Sequence, residues 1–428
     1  MRNFLIDGSF CGDYDLASAN TAEELESALG GLGLKPAAVY KRTGTIMFRL
    51  PGGEHCEHTT FRGERYGTGG AHTPEETFYT DDIAEDARRR DFKCNAIYYD
   101  IKNAKLTDPL GGIADVAARR LDTAIAPEKV FSVDGLRLLR LCRFAAELNF
   151  TPTNGTVEGA YRYRGNIKDI SAERIFDEFS KMLVSDGKYA FSDKRGHYTS
   201  FKLCHRIGVL AEIVPELTAG EGMAQRRDFH DHDVLEHSLR TLLYADKSVR
   251  LAALLHDVGK PYAMLTYGAY KTHNTEGERI VRQILTRLKA PKATIEETSA
   301  LTYLHMTDLD LKMKESKVRL FMAKHAALLK KLLLLKQADY SACKDDLSPA
   351  PTVVKWERIL GEMQAEGAPL TVKELAIGGK ELSKIGYRGE ELGRELGELF
   401  RLAVLDGRKN DRDILLSLAA RQRKGKEK

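Results

Sequence analysis

The chain has 428 residues, 43% of them hydrophobic and 30% charged, more than one ordinary core can organise, so two to four globular domains are predicted. Its 66 basic and 62 acidic side chains leave a formal charge of +4, which excludes holding nucleic acid by the field of the whole molecule and leaves that task to local patches. Cys11, Cys56, Cys94, Cys142, Cys204 and Cys343 lack paired spacing, MRNFLIDG is too short for a signal peptide and no apolar run approaches a membrane span, so a zinc knuckle, a disulfide framework and membrane insertion are excluded and a reducing cytoplasm is expected.

Up to about Asp115, β-prone runs such as AAVYKRTGTIMFRL and HCEHTTFRGERY alternate with helical stretches such as TAEELESALGGLG. From about Ala117 onward the apolar residues recur at helical spacing, as in GLRLLRLCRFAAEL, VLEHSLRTLLYA and ESKVRLFMAKHAALLKKLLLLKQA. The fold class predicted is α+β: a head with a mixed sheet, then an all-α body. Gly- and Pro-rich loops at Gly220–Gly222 and Ser348–Pro351 bound a middle unit. The expected division is 1–116 for the head, 117–215 for a helical neck, 216–347 for the middle domain and 348–428 for a helical tail. The basic end RQRKGKEK reads as a frayed, solvated tail.

In GDYDLAS, Asp13 and Asp15 are two apart, which on an extended strand points both carboxylates to one face. Such a pair repels itself unless neutralised, and Mg²⁺ carrying phosphate oxygens would do so; alone, the same spacing equally fits a solvated turn. Glu57, in EHTTFRGERY, is placed by alternation to add a third acid from an adjacent strand. Arg88, Arg89 and Arg90 in EDARRRDFKCNAIYYD form either a solvated helix face or, beside a metal, a grip on a triphosphate. Asp108 and Asp115 follow in DPLGGIADV.

In this order and spacing, GDYDLAS, RRDFKCNA, DPLGGIADV and VDGLRLLRLCRF resemble the bacterial class II CCA-adding enzyme and poly(A) polymerase family of the polymerase-β nucleotidyltransferase superfamily, over roughly the first half of the chain. The resemblance implies a catalytic metal pair held by Asp13 and Asp15, and Arg90 on the incoming nucleotide. Arg2 matches an arginine of the family's opening phosphate-binding segment, whereas Asn3 replaces its acid and the preceding strand and glycine pair have no counterpart. Two readings follow: Met1 is an internal residue taken for the start, or the head lacks its first strand and is weak or inactive as a transferase.

Within VDGLRLLRLCRF, Asp134, Arg137, Arg140 and Arg143 recur every third residue, so on a helix Asp134 and Arg137 share an edge. A carboxylate beside a guanidinium matches the exocyclic amine and ring acceptor of cytosine or adenine, while guanine or uracil would set a carbonyl against the acid. An ordinary i, i+3 surface ion pair has the same spacing. The resemblance assigns base reading to Asp134 and Arg137 and nucleotide contacts to Arg140 and Arg143, with Val133 standing where the family usually has a further acid. ISAERIFDEF resembles the family's neck helix, with Ser171 as N-cap and Glu173 and Arg174 structural.

Farther on, His237, the pair His256 and Asp257, His273, His305 and Asp339 each lie in or beside an apolar helical stretch, where unpaired polar groups are expensive to bury. The ordered set resembles the HD superfamily of metal-dependent phosphohydrolases. The resemblance implies His237, His256, Asp257 and Asp339 as ligands of a first metal, with His273 and His305 placed for a second. Mixed imidazole and carboxylate donors suit Mn, Fe, Co, Ni or Zn. His230 and His232 receive no role. The whole chain is then expected to add C, C and A to a tRNA 3′ end from CTP and ATP without a nucleic-acid template, using Mg²⁺, and to carry a phosphohydrolase. Poly(A), A-only or C-only addition, or an HD phosphohydrolase behind a defective head, are the alternatives. The oligomeric state is left open.

Overall fold

A short helix, α1 (Arg2–Asp7), precedes strand β1 (Asp13–Ser18) in the computed structural model, which describes residues 1–8, 13–66, 75–226, 228 and 230–426. Cys11 lies outside the described residues, and of Asp13 only the backbone is described. Helix α2 (Ala22–Gly31) starts where Thr21 and Glu24 close a reciprocal capping box, the side chain of each accepting from the backbone of the other. Strands β2 (Pro36–Tyr40), β3 (Thr45–Arg49) and β4 (His55–Thr60) complete a mixed sheet of order β1-β4-β3-β2, in which β1 pairs with β4 parallel and the other pairings are antiparallel. The alternation visible in the sequence decides which face is covered. Ile46, Phe48 and Cys56 are buried with Ala22 and Leu29 of α2, and Leu16 packs against them.

Hairpin β5 (Arg62–Arg65) with β6 (Glu76–Tyr79) leads to α3 (Ile83–Arg88), then to hairpin β7 (Tyr98–Asp100) with β8 (Lys105–Thr107) and to α4 (Gly112–Ala117). Asp108 accepts from the amides of Gly112 and Ile113 at 2.7 and 2.9 Å and so fixes the start of α4, while buried Asp115 pairs with Arg120. Beyond β9 (Arg120–Leu121), which pairs with β10 (Thr151–Pro152), the chain is helical as expected: α5 (Pro127–Val133), α6 (Leu136–Leu148), α7 (Asn154–Arg162), α8 (Ala172–Met182), α9 (Gly196–Arg206), α10 (Val209–Ile213) and α11 (Pro215–Thr218). Leu138, Leu139, Leu141 and Cys142 of α6 are fully buried, which makes α6 the central rod of this part. Ser171 stands at the N-cap of α8 but its side chain makes no capping bond, against expectation; Glu173 pairs instead with Lys289.

The described chain falls into two units, residues 1–218 with 284–290 and residues 219–283 with 291–428. The second contains α12 (Val234–Tyr244), α13 (Arg250–Leu255), α14 (Lys260–Tyr267), most of α15 (His273–Arg287), α16 (Lys292–Leu304), α17 (Glu315–Lys324), α18 (Ala326–Lys344), α19 (Pro351–Ala365), α20 (Gly379–Ile385), α21 (Gly389–Leu405) and α22 (Arg412–Lys426). Leu301, Met322, Leu332 and Leu335 share one core with Val353, Trp356 and Ile359 of α19, and the buried Trp356 indole donates to Asp308 at 2.9 Å. A second cluster gathers Leu382, Tyr387, Leu399 and Leu415. The backbone of α22 stays helical through Lys426, where a frayed end was expected. No described helix is long and apolar enough to cross a membrane.

Candidate active site and metal centre

Strand pairing sets the acids of the head. Asp15 lies directly beside Glu57 in the parallel register of β1 and β4, and Asp13 beside His55 two positions earlier. Because α2 takes the face of Leu16, Ile46, Phe48 and Cys56, the alternating positions Asp15 and Glu57 belong to the opposite face. Asp15 is exposed and Glu57 half-buried. Two adjacent carboxylates on one open face form an all-oxygen donor set that a hard divalent cation such as Mg²⁺ fits.

The arginines expected to act as one cluster separate. Arg88 pairs with Glu85 on the exposed side of α3. Arg89 and Arg90 both turn to Asp86, whose carboxyl is wholly buried, and the Tyr98 hydroxyl donates to the same acid at 2.7 Å. Burial raises the Asp86 carboxyl, but Arg89 and Arg90 outweigh it and hold it below the ordinary value. Arg90 also donates to the carbonyl of Asn95 at 3.3 Å.

Asn95 and Asp91, inside RRDFKCNA but given no role by sequence reasoning, join three of the expected residues. Arg2 donates to Asn95 Oδ1; Asn95 Nδ2 donates to Asp91 Oδ1 at 2.8 Å; Arg140 Nη2 lies 2.6 Å from Asp91 Oδ2. The guanidinium groups of Arg2 and Arg140 lie 5.2 and 5.0 Å from the ring centre of Phe144. Burial would raise Asp91, yet Arg140, Asn95 and Arg137 bring it down to about 2. Asp86 was legible as an i, i+3 and i, i+4 partner of Arg89 and Arg90; Asp91 lies too far along the chain from Arg140 for any spacing rule to link them.

Asp134 and Arg137, the pair expected to read the base, are close but arranged differently from expectation. Asp134 is not on the helix: it is extended, at φ −145° and ψ 102°, in the break between α5 and α6, and its Oδ1 accepts from the Leu136 amide at 2.9 Å. Gly135 makes the break possible, because a Cβ there would fall 2.1 Å from the Asn166 carbonyl oxygen. Arg137 Nε lies 3.9 Å from Asp134 Oδ2, and Arg137 Nη2 donates to the Arg89 carbonyl at 2.6 Å, so β-strand head and helical neck meet at this side chain. Both residues are buried, at 4% and 6% exposure. Arg143 also lies over the Phe144 ring, 4.2 Å from its centre, and is held in a buried cluster with Glu147 and Glu178 at 2.8 and 2.6 Å.

In the second unit, all six expected histidines and acids converge. His237 Nε2 lies 3.0 Å from Asp339 Oδ1 and 3.5 Å from Asp257 Oδ2. His256 Nε2 lies 3.2 Å from Asp257 and 3.5 Å from Asp339. His273 and His305 face Asp257 Oδ1 at 3.3 and 3.7 Å and each other at 3.3 Å. The rings of His256, His273 and His305 are aimed by one device: each Nδ1 lies 2.6 to 2.8 Å from the carbonyl three residues earlier, on Ala253, Tyr270 and Thr302, which leaves Nε2 for the centre. Gly259 lets the chain before α14 lie against the start of α15, since a Cβ there would lie 2.0 Å from the His273 carbonyl oxygen.

Oδ1 of Asp257 and Nε2 of His256 are buried without a hydrogen-bond partner, and Oδ2 of Asp257 has ion-pair contacts alone, a condition that a divalent cation on these donors would relieve. The donor set of imidazoles and carboxylates fits such an ion. Burial disfavours charge throughout, yet Asp257 and Asp339 hold His256 up at about 10, while burial pushes His273 down to about 4 and keeps its lone pair free of a proton. Lys260, which sequence reasoning missed, stands 2.6 Å from Asp257 Oδ2 and donates to Gln225 at 2.7 Å. Its signal was available in HDVGK, three residues after the acid on a forming helix.

Residues 1–122 match the family model of the poly A polymerase head domain, 149–220 the probable RNA and SrmB-binding site of polymerase A, and 234–342 the HD domain. The A-adding tRNA nucleotidyltransferase of Deinococcus radiodurans is 31% identical over 343 residues, 74% of each chain, and the CC-adding tRNA nucleotidyltransferase of Thermus thermophilus is 29% identical over 364 residues, 81% of this chain and 79% of that one. The crystal structure of the Bacillus stearothermophilus CCA-adding enzyme in complex with CTP superposes with a TM-score of 0.66 at 23% identity, over 100% of this chain and 92% of that one, which establishes the fold. With the strand-borne acids, the arginine network and the HD centre in this order, the chain belongs to the tRNA nucleotidyltransferase and poly(A) polymerase family, in its form with an HD domain.

Proposed function

We propose that this protein is a CCA-adding tRNA nucleotidyltransferase that extends the tRNA 3′ end from CTP and ATP, and that its HD domain is a metal-dependent phosphohydrolase. The observation that carries the transferase reading is the register that sets Asp15 beside Glu57 on the face of the sheet not covered by α2. In this reading Asp13 and Asp15, with Glu57 alongside, hold Mg²⁺, which supplies charge neutralisation at the triphosphate and Lewis acidity. Arg2, Arg90 and Arg140, already oriented through Asn95, Asp86 and Asp91, present guanidinium groups to the nucleotide phosphates. Asp134 and Arg137 read the base edge, so C and A are chosen by the protein, and Arg143 supports α6 from its cluster with Glu178.

In the HD domain, His237, His256, Asp257 and Asp339 hold one divalent transition metal, and His273 with His305 a second, where the ion would polarise a phosphoester. Lys260 anchors Asp257 and offers a cation to a phosphate oxygen. The division into head, neck, HD domain and tail at 116, 215 and 347 is the frame of this reading.

The test is incorporation of each labelled nucleotide into tRNA lacking its terminal CCA. The expected product carries C, C and A, and Asp15→Ala should lose at least about a thousandfold in rate, the scale of removing a metal ligand at a charge-stabilising site. Unchanged incorporation by Asp15→Ala would remove the assignment. A-only addition is the second reading, favoured by the 31% identity to the A-adding relative; incorporation of ATP alone, and only on tRNA already ending in CC, would select it.

A further inference from the structure

His237 belongs to a second group of donors that the HD ligand set does not contain. One ring nitrogen of His230, one of His237 and Cys343 Sγ lie within 4.8 Å of one another. They come from three elements: the segment that leads into α12, α12 itself and the last turn of α18. That segment is fastened in place, since the Asp231 amide donates to the Cys343 carbonyl at 3.0 Å and Gln225 donates to the His232 carbonyl at 3.2 Å. The rings of His230 and His237 meet edge to face with centroids 4.7 Å apart.

Two observations point to a ligand. His237 is fully buried, and Nδ1 of both His230 and His237 is shut off from solvent with no hydrogen-bond partner. An imidazole carries two nitrogens, and His237 has Nε2 committed to Asp339 while Nδ1 is left over. Cys343 lies one helical turn after Asp339, so one face of α18 delivers a carboxylate to the first group and a sulfur to the second. Its Sγ donates only weakly, to the Asp339 carbonyl at 3.4 Å.

We propose that His230, His237 and Cys343 form an accessory site for a thiophilic transition-metal ion, such as Zn²⁺ or Co²⁺, beside the HD centre. Two imidazoles and one sulfur are three of the four ligands a tetrahedral ion takes, with the last position open to water, and a sulfur donor discriminates against Mg²⁺ and Ca²⁺. The proposal goes beyond the hydrolytic reading and shares with it only His237.

Cobalt(II) titration of the metal-free full-length chain, followed by absorption, tests it. The expected spectrum has a near-ultraviolet thiolate-to-cobalt charge-transfer band together with visible d–d bands. Cys343→Ser, and Cys343→Ala as a second variant, should lose the charge-transfer band and one equivalent of bound cobalt while keeping the d–d bands of the HD centre; His230→Gln should weaken the band several-fold. Cobalt binding without that band, or a band that survives both Cys343 variants, overturns the accessory site and leaves the HD reading standing. Failure to bind any cobalt overturns both.

Discussion

At Asp91 a single carboxylate holds Arg140 directly and Arg2 through Asn95, side chains that the chain brings from three elements. Its carboxyl is held near 2 rather than 3.8, so protonation works against the fold. A depressed carboxyl contributes stability that is present above its unfolded value, about pH 4, and is lost as pH falls through about 2; the size is about 2 kcal/mol. Asp91→Asn should therefore lower the urea midpoint at pH 7, and the gap to the parent should narrow between pH 4 and pH 2. A gap constant with pH would show that Arg140 does not depend on this charge. Gly259 acts through space rather than charge. A methyl group there meets backbone at 2.0 Å on His273, and backbone does not yield as a flexible side chain does. Gly259→Ala should displace His273 and reduce affinity for the more weakly held metal by about tenfold, the scale of a disturbed ligand shell, measured by equilibrium dialysis.

In the proposed reading, base choice turns on the break between α5 and α6. Helical periodicity marks α6 correctly, but it carries Asp134 onto the helix as well, because spacing by threes says nothing about φ and ψ at the first member. The structure instead uses Asp134 to receive the Leu136 amide at the helix start, and Gly135 to pass the Asn166 carbonyl. Gly135→Ala should push the α6 start away from residue 166 and shift Arg137 off the Arg89 carbonyl. We expect a loss of selectivity between CTP and UTP larger than the loss of total incorporation; equal losses would mean that the break only supports the fold. The runs that became β2 to β5, α2, α6 and α12 were legible by their alternation or helical period, whereas the stretch read as one helix from Glu315 breaks at His325 into α17 and α18. Spacing alone made Asp86 legible as a partner of Arg89 and Arg90, but not that Asp86 is buried while Arg88 with Glu85 faces solvent, because that depends on which side of α3 is covered.

For the molecule as a whole, the order of motifs gave the family and the six residues that converge in the HD domain, while some of the side chains packed around the expected residues lay beyond reach of any local rule. Asp91 and Asn95 reach Arg140 and Arg2, and His230 reaches His237, only by tertiary contact, whereas Lys260 and Cys343 lie within a helical turn of Asp257 and Asp339. Cys343 in particular was set aside because no second cysteine is spaced to join it, a rule that ignores mixed ligand sets. Metal content should control the stability of the HD domain, since Asp257 Oδ1 and His256 Nε2 are buried without hydrogen bonds. A hundredfold excess of metal over its dissociation constant adds about 2.7 kcal/mol, so chelation should lower the melting temperature of the loaded protein by roughly 5 °C. Asp257→Asn should melt at the same temperature with and without chelator.

The side-by-side pairing of β1 with β4 also limits how the turn before β4 can change. Strand side chains alternate, so inserting one residue at 50–54 and sliding β4 by a single step would swing Glu57 toward α2 and turn Cys56 out to water. Length changes at that hairpin are thus confined to those that keep the phase of the pairing, and an odd insertion would damage apolar packing and acid placement in one stroke.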